Sequence, residues 1–290
     1  MLSTVFAWDG ADFDSLLASC WRGPELPFIF KYMPQEGKIL EAGCGLGRYV
    51  AYLADRGFDI EGIEINPETV AAVHRIRPDI RIRVGDVTRL PYADNSLAGI
   101  ISLGVIEHFI EGPQVALCEI RRVLKSEAYA IVTVPSFNLV RKIKAFSGYR
   151  RFMETLKGSE ILRRLFFRMP RPGVTDAAPI LNYQIYRQAG RFFEYRFSKR
   201  EFESLLLTSG FELVESVPIA QMDGLYHEFG RFFVSFRNWA FYPNRLGRWM
   251  NDIFSRRPFF HNHMHLCVIK KLMPRSATAA AIGEDHAGQD

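Results

Sequence analysis

Cysteine is scarce in this chain: Cys20, Cys44, Cys118 and Cys267 are scattered through 290 residues, with no Cys-x-x-Cys pair. That spacing argues against a disulfide framework and suits reduced thiols in the cytoplasm. Long hydrophobic runs are also missing. None approaches the roughly 18 to 20 residues that a membrane-spanning helix needs. The first ten residues, Met1 to Gly10, lack a basic stretch followed by an apolar core, so they do not read as a signal peptide. No glycine stands at position 48, which is arginine.

What remains has the composition of a globular enzyme, with 48% hydrophobic residues and a net charge of +5. The length suffices for one large α/β domain with insertions, or a domain and a small cap. Strand and helix patterns alternate through the first half. Lys38–Glu41, Asp59–Ile65, Ile80–Val84, Leu97–Leu103 and Ala128–Val134 read as strands, and Arg48–Arg56, Glu68–Arg77 and Pro113–Leu124 as helices. The Leu97–Leu103 run is almost wholly apolar, as expected when both faces of a parallel sheet are covered. Repeated βα units of this length predict a right-handed, doubly wound parallel sheet. Its ligand belongs at the carboxyl ends of the strands, beside the topological switch point.

The most informative stretch is Ile39 to Gly47, Ile-Leu-Glu-Ala-Gly-Cys-Gly-Leu-Gly. Gly43, Gly45 and Gly47 leave the turn without Cβ atoms, so a bulky ligand can approach the backbone. The following helix points its N-terminal N–H groups into the same space. Glu41, at the strand's end, offers a carboxylate to a cation or ammonium. A dinucleotide fingerprint needs Gly-x-Gly-x-x-Gly, and its third glycine position here is Arg48. Glu64 ends the second strand 21 residues after Gly43, where a carboxylate can accept two ribose hydroxyls. Asp86 follows the third strand, where it can accept a bond from an adenine amino group. Singly, each acid is as well explained as a helix cap. In order, each at a strand's carboxyl end, they point to a nucleoside ligand.

With these residues in place the chain resembles the class I S-adenosylmethionine-dependent methyltransferases, especially the small-molecule group called type 11. The likeness covers about residues 36–137: the Ile39–Gly47 stretch, Gly62–Glu68, Gly85–Ser96, Ile106-Glu107-His108 and Glu119–Lys125. It resumes at Phe197–Phe202 and Ser209–Glu215. It implies a Rossmann-like, seven-stranded, mostly parallel sheet, with further strands around 211–217 and 264–271, the last antiparallel. It implies S-adenosylmethionine as cofactor and S-adenosylhomocysteine as product. Glu41, Gly43 and Gly45 would hold the methionine end, Glu64 the ribose, and Asp86 with Val87 the adenine. Cys44, Gly47, Ile65 and Leu103 would complete the contacts.

A sulfonium methyl is already activated, so such a protein aligns the acceptor and removes water around it. A base is needed only where the acceptor must lose a proton. His108 and Glu107, after the fourth strand, are the candidates; their structural reading is a helix start and a ring packed on the cofactor loop. An oxygen acceptor is expected. A quinone or other isoprenoid ring, and a protein that binds the cofactor without turnover, are the alternatives. A dehydrogenase is disfavoured by Arg48.

Residues 1–35 are expected to form a helical cover, with Trp8, Trp21 and Tyr32 as its candidates, over a core at 36–138. A basic lid is expected at 139–196, the rest of the core at 197–273, and a disordered tail at 274–290. Leu139–Thr175 holds ten Lys or Arg against two acids, in a chain whose net is only +5. Leu225–Phe260 carries Phe229, Phe232, Phe233, Phe236 and Trp239 at helical spacing, with arginines around them. Such a pairing fits a small-molecule or lipid- or glycan-linked acceptor, an anionic one by its charge, and peripheral contact with the inner face of a membrane. A lid and cap with buried aromatics and solvated arginines is the structural reading. Nucleic acid is disfavoured, since no binding module is recognisable. His261-x-His263-x-His265 alternates as on a strand, but same-face neighbours stand roughly 6.5 to 7 Å apart, too far for one metal. No metal is expected there.

Overall fold

The computed structural model describes residues 13–146, 183–187, 191–230 and 232–272. Seven strands form one sheet in the order β3-β2-β1-β4-β5-β11-β8. They are β1 (Ile39–Ala42), β2 (Ile60–Glu64), β3 (Ile82–Val84), β4 (Leu97–Leu103), β5 (Leu124–Pro135), β8 (Phe211–Ile219) and β11 (Met264–Lys271). The pairs among β1 to β5 are all parallel, and β11 runs antiparallel to both β5 and β8. The expected doubly wound sheet with a reversed last strand is what forms. β5 begins before its apolar run: Leu124 pairs with Leu97, and the register then shifts so that Tyr129 faces Gly99.

Alternation along each strand sends neighbouring side chains to opposite faces, and two cores result. Ile39, Ile60, Ile101, Ile131 and Leu266 face one side. There they meet α1 (Phe13–Ser19), α2 (Leu26–Tyr32), α3 (Arg48–Ala54) and α4 (Pro67–Ile76) through Leu16, Ile29, Val50 and Val73. Leu40, Ile63, Ile100, Val132 and Cys267 face the other side. They are covered by α5 (Gln114–Val123) and α7 (Lys199–Thr208) through Leu117, Ile120, Phe202 and Leu206. The helix starts are written locally. Asn66 accepts from the Glu68 N–H at the start of α4, with Pro67 in the first turn. Ser198 and Glu201 close a reciprocal capping box on α7.

Outside the sheet lie α6 (Leu139–Ala145) and the hairpin of β6 (Tyr183–Arg187) and β7 (Arg191–Tyr195). Beyond β8 come α8 (Gln221–Phe229), the hairpin of β9 (Val234–Arg237) and β10 (Ala240–Pro243), and α9 (Arg245–Phe254). This corrects one expectation. The aromatics from Phe229 to Trp239 do not share one helix: only Phe229 is helical, and the rest lie in or beside the β9–β10 hairpin. Phe236 and Phe241 are a cross-strand pair with ring centroids 4.8 Å apart. The basic lid beyond Phe146, apart from β6, β7 and Arg196, and the tail after Leu272 lie outside the described residues.

Candidate active site

The strand order reverses between β1 and β4, and the carboxyl ends of β1, β2 and β4 open a crevice there. The glycine turn sets its floor. Gly43 and Cys44 both donate to the Ile63 carbonyl, at 2.8 and 2.9 Å, folding the turn back onto β2. Gly43 has φ +80°, and a Cβ there would stand 2.5 Å from the Val105 methyl of the β4 loop. Gly47, at φ +66°, opens α3, and a Cβ there would stand 2.1 Å from the Ile82 end methyl.

A cavity of ≈ 390 Å³ fills the crevice. Three carboxylates line it. Glu64 is buried and held at both ends: one oxygen accepts from Gly45 N–H at 2.9 Å, the other from Asn66 N–H at 3.0 Å. Each oxygen keeps a further lone pair for a ligand hydroxyl. Asp86 receives the Thr88 N–H and hydroxyl on Oδ1, at 2.8 and 2.7 Å, which fixes its rotamer at the cavity wall. Glu41 is buried on β1 and takes only the Val50 N–H, at 3.2 Å. Loss of hydration pushes its carboxyl up to about 8, against the opposing pull of the Arg48 guanidinium. A cationic ligand group beside Glu41 would restore its charge.

Ten of the twelve residues expected from sequence line this cavity: Glu41, Gly43, Cys44, Gly45, Glu64, Ile65, Asp86, Val87, Leu103 and His108. Gly47 does not; its part is to start α3. Glu107 does not either. It is buried behind the wall, where dehydration holds its carboxyl well above the usual range, with one oxygen 3.7 Å from His108 Nε2. Both residues belong to a short 3₁₀ turn, Ile106–His108, directed by β4.

Sequence reasoning missed Leu16, Arg48 and Trp239 as lining residues. Arg48 stands where a dinucleotide fingerprint has glycine, and it also has a place of its own. Its guanidinium is held by Glu25 at 2.9 Å beside the cavity. Leu16 of α1 and Trp239 at the tip of the β9–β10 hairpin come from opposite ends of the chain and roof the space. No local motif marks either. The expected cover residues act elsewhere: Trp21 is 62% exposed, under the Arg22 guanidinium. Tyr32 donates to Glu215 at 2.5 Å and packs on Tyr129. Trp8 lies outside the described residues.

The carboxylate set tests the ligand. A dinucleotide would press its pyrophosphate against the Glu64 carboxylate, where like charge opposes it, and would leave the buried Glu41 without a cation. A sulfonium nucleoside instead offers an ammonium, a ribose diol and an adenine amino group, one for each carboxylate. Residues 40–132 match the family described as Methyltransferase domain. Over that stretch, about a third of its length, the chain carries a class I S-adenosylmethionine-dependent methyltransferase domain. Over 98 residues that domain is 34% identical to a probable S-adenosylmethionine-dependent methyltransferase of Mycolicibacterium smegmatis, covering 34% of this chain and 38% of that one. It is 32% identical over 110 residues to a demethylmenaquinone methyltransferase of Renibacterium salmoninarum, covering 37% and 46%. The chain thus spans less than half the length of these two relatives. A solved S-adenosylmethionine-dependent methyltransferase of Methanosarcina mazei shares the fold, with a TM-score of 0.55 at 16% identity over 86% of this chain and 98% of that one. The family's cofactor is S-adenosylmethionine, and the three carboxylates of the methyltransferase domain fit it.

The histidine run is arranged differently from a strand of ligands. β11 begins at Met264, so only His265 is on it. His261 meets Asn251 Oδ1 at 3.2 Å, His263 accepts from Arg141 at 2.8 Å, and His265 meets Ser216 Oγ at 2.8 Å. Asp223 and His227 approach His263, with ligand-type atoms within 4.8 Å of one another. The His227 and His263 rings stack at 4.6 Å and 26°, so their in-plane lone pairs run side by side and do not converge on a metal. The Arg141 bond also occupies the Nδ1 lone pair of His263.

Proposed function

We propose that the protein is an enzyme that transfers the methyl group of S-adenosylmethionine to a hydroxyl oxygen of a small-molecule acceptor, one linked to a lipid or a glycan. The observation that carries this is the single cavity that joins three carboxylates suited to the cofactor with an imidazole on its wall. When bound, the cofactor supplies an activated methyl on sulfur. Glu41 would hold the ammonium, Glu64 the ribose hydroxyls, and Asp86 with Val87 the adenine edge. Leu16 and Trp239 exclude water from above. His108 takes the acceptor's proton, which leaves an imidazolium whose Nε2 is 3.7 Å from Glu107 and draws that buried carboxyl toward ionisation.

Reading labelled methyl transfer into a host extract, divided into lipid, glycan and small-molecule fractions, tests the reaction. Label in the lipid or glycan fraction, stable to acid as an ether, is expected; no labelled product in any fraction overturns it. With the acceptor in hand, His108→Ala should lower kcat by roughly 10²-fold or more with little change in cofactor affinity. An unchanged kcat removes His108 as the base.

The quinone-ring reading is favoured by the name of the Renibacterium relative, a demethylmenaquinone methyltransferase. It differs in the bond made, since methylation would then fall on ring carbon. The same labelled product distinguishes the two by the atom that carries the methyl. Peripheral work at the inner membrane face suits either reading, and among the described residues no helix is long and apolar enough to cross a membrane.

A further inference from the structure

α9 reads Arg-Leu-Gly-Arg-Trp-Met-Asn-Asp-Ile-Phe, and its apolar residues do not all face inward. At about 100° per residue, Leu246, Trp249 and Ile253 fall within about 60° of one another around the helix. All three are open to solvent, at 45%, 61% and 39%. The buried side is elsewhere: Gly247 packs so tightly that a Cβ there would stand 2.2 Å from the Phe233 carbonyl oxygen. Asn244 caps the helix through Gly247 N–H at 2.8 Å and donates to the Phe232 carbonyl at 2.8 Å. That bond places Phe232, 76% exposed, beside the helix start. Arg245 and Arg248 adjoin the stripe, Arg256 and Arg257 follow the helix, and all four are exposed. A ring, an indole and two aliphatic side chains turned to solvent under a fringe of arginines form a surface with no partner among the described residues.

We propose that this face of α9, with Phe232, docks on an anionic lipid bilayer. Trp249 sits at the headgroup level, where its ring is apolar and its N–H stays wet. Leu246 and Ile253 enter the acyl boundary, and the arginines meet lipid phosphates. A second copy of the chain is the poorer occupant, because a two-fold contact would bring the arginine fringes of both copies together. The docked face is joined to the active site by direct packing. α9 locks onto the β9–β10 hairpin, and Trp239 at that hairpin's tip lines the cavity. Docking therefore holds the cavity roof near the bilayer, where a lipid-linked acceptor would be taken up. The inference rests on the lipid-linked branch of the proposed function, but vesicle binding is read without turnover, so the two fail separately.

Co-flotation of the full chain with vesicles tests it, using phosphatidylcholine alone and phosphatidylcholine with phosphatidylglycerol. Binding to the anionic vesicles, weakened by salt, is expected, with a blue shift of tryptophan emission that Trp249→Phe removes. Arg245→Glu with Arg248→Glu should cut partitioning by roughly thirtyfold or more. Leu246→Ser with Trp249→Ser should abolish it while the chain still unfolds cooperatively with only a small shift in melting temperature, since both side chains are exposed. No anionic-vesicle binding, or binding undiminished by the Leu246 and Trp249 substitutions, overturns the proposal. So does a dimer in sedimentation that these same substitutions dissociate.

Discussion

Glu41 is the residue at which burial and ligand chemistry are most directly coupled. Its carboxyl titrates near 8 because it is dehydrated, while an unfolded glutamate titrates near 4.5. Between those values the folded chain holds a proton that the unfolded chain lacks, so stability falls as pH rises through that window. Glu41→Gln removes the penalty. The ligand-free variant should melt higher than the parent above pH 8 and bind S-adenosylmethionine much more weakly. A lower melting temperature in that range would contradict the burial argument; calorimetric scans across pH decide it. Glu41, Glu64 and Asp86 were legible because each lies at or just beyond the carboxyl end of a parallel strand, a place fixed by sequence periodicity. Leu16 and Trp239 were not, because their place depends on how distant segments fold over the crevice.

Among the elements, the strands and helices from 38 to 134 could be read closely. Each βα unit there is short and is bounded by glycine, proline or a cap. The β9–β10 hairpin could not. Its aromatic spacing mimics a helix, and its two-residue turn is Asn238-Trp239, both at positive φ, +49° and +55°. Asn suits the first turn position, but a tryptophan in the second carries no turn signal and costs about 1–2 kcal/mol in that conformation. Strain of this kind persists where the surroundings require it, and here the indole roofs the cavity. Trp239→Gly should relieve the backbone, offsetting part of the lost packing on Phe236, while opening the roof. The expected result is a KM for acceptor raised roughly tenfold or more, largely restored by Trp239→Phe. Steady-state kinetics with all three proteins checks this; equal KM values would remove Trp239 from the site.

On the scale of the whole molecule, the acid response follows from groups buried uncharged. Dehydration holds His261 at about 4 and His263 and His265 at about 3, with the Arg141 guanidinium adding to the effect at His263. Unfolding below the ordinary histidine value of 6.5 therefore takes up as many as three protons, and stability falls as pH drops. Glu41 and Glu107 act in the opposite sense down to about 4.5, since their folded carboxyls are already protonated. Three protons against two leave a net uptake of one between 6.5 and 4.5, and below that window Glu119, Glu215 and Glu228, held low by their Arg or Lys partners, add to the histidines. Urea midpoints should fall slowly through the first window as pH drops and steeply beneath it. Midpoints that keep rising below pH 4 would contradict neutral burial of the three rings.

The central claim is that a cavity of three carboxylates binds S-adenosylmethionine and not a dinucleotide. Titration calorimetry of the full chain with S-adenosylmethionine and with NAD, repeated for Glu64→Ala, tests it most directly. The account predicts binding of S-adenosylmethionine with release of a proton from Glu41 at pH 7, and no binding of NAD. It also predicts affinity lower by roughly a hundredfold once the Glu64 carboxylate is gone. Heat from NAD with none from S-adenosylmethionine, or an affinity untouched by Glu64→Ala, would contradict it.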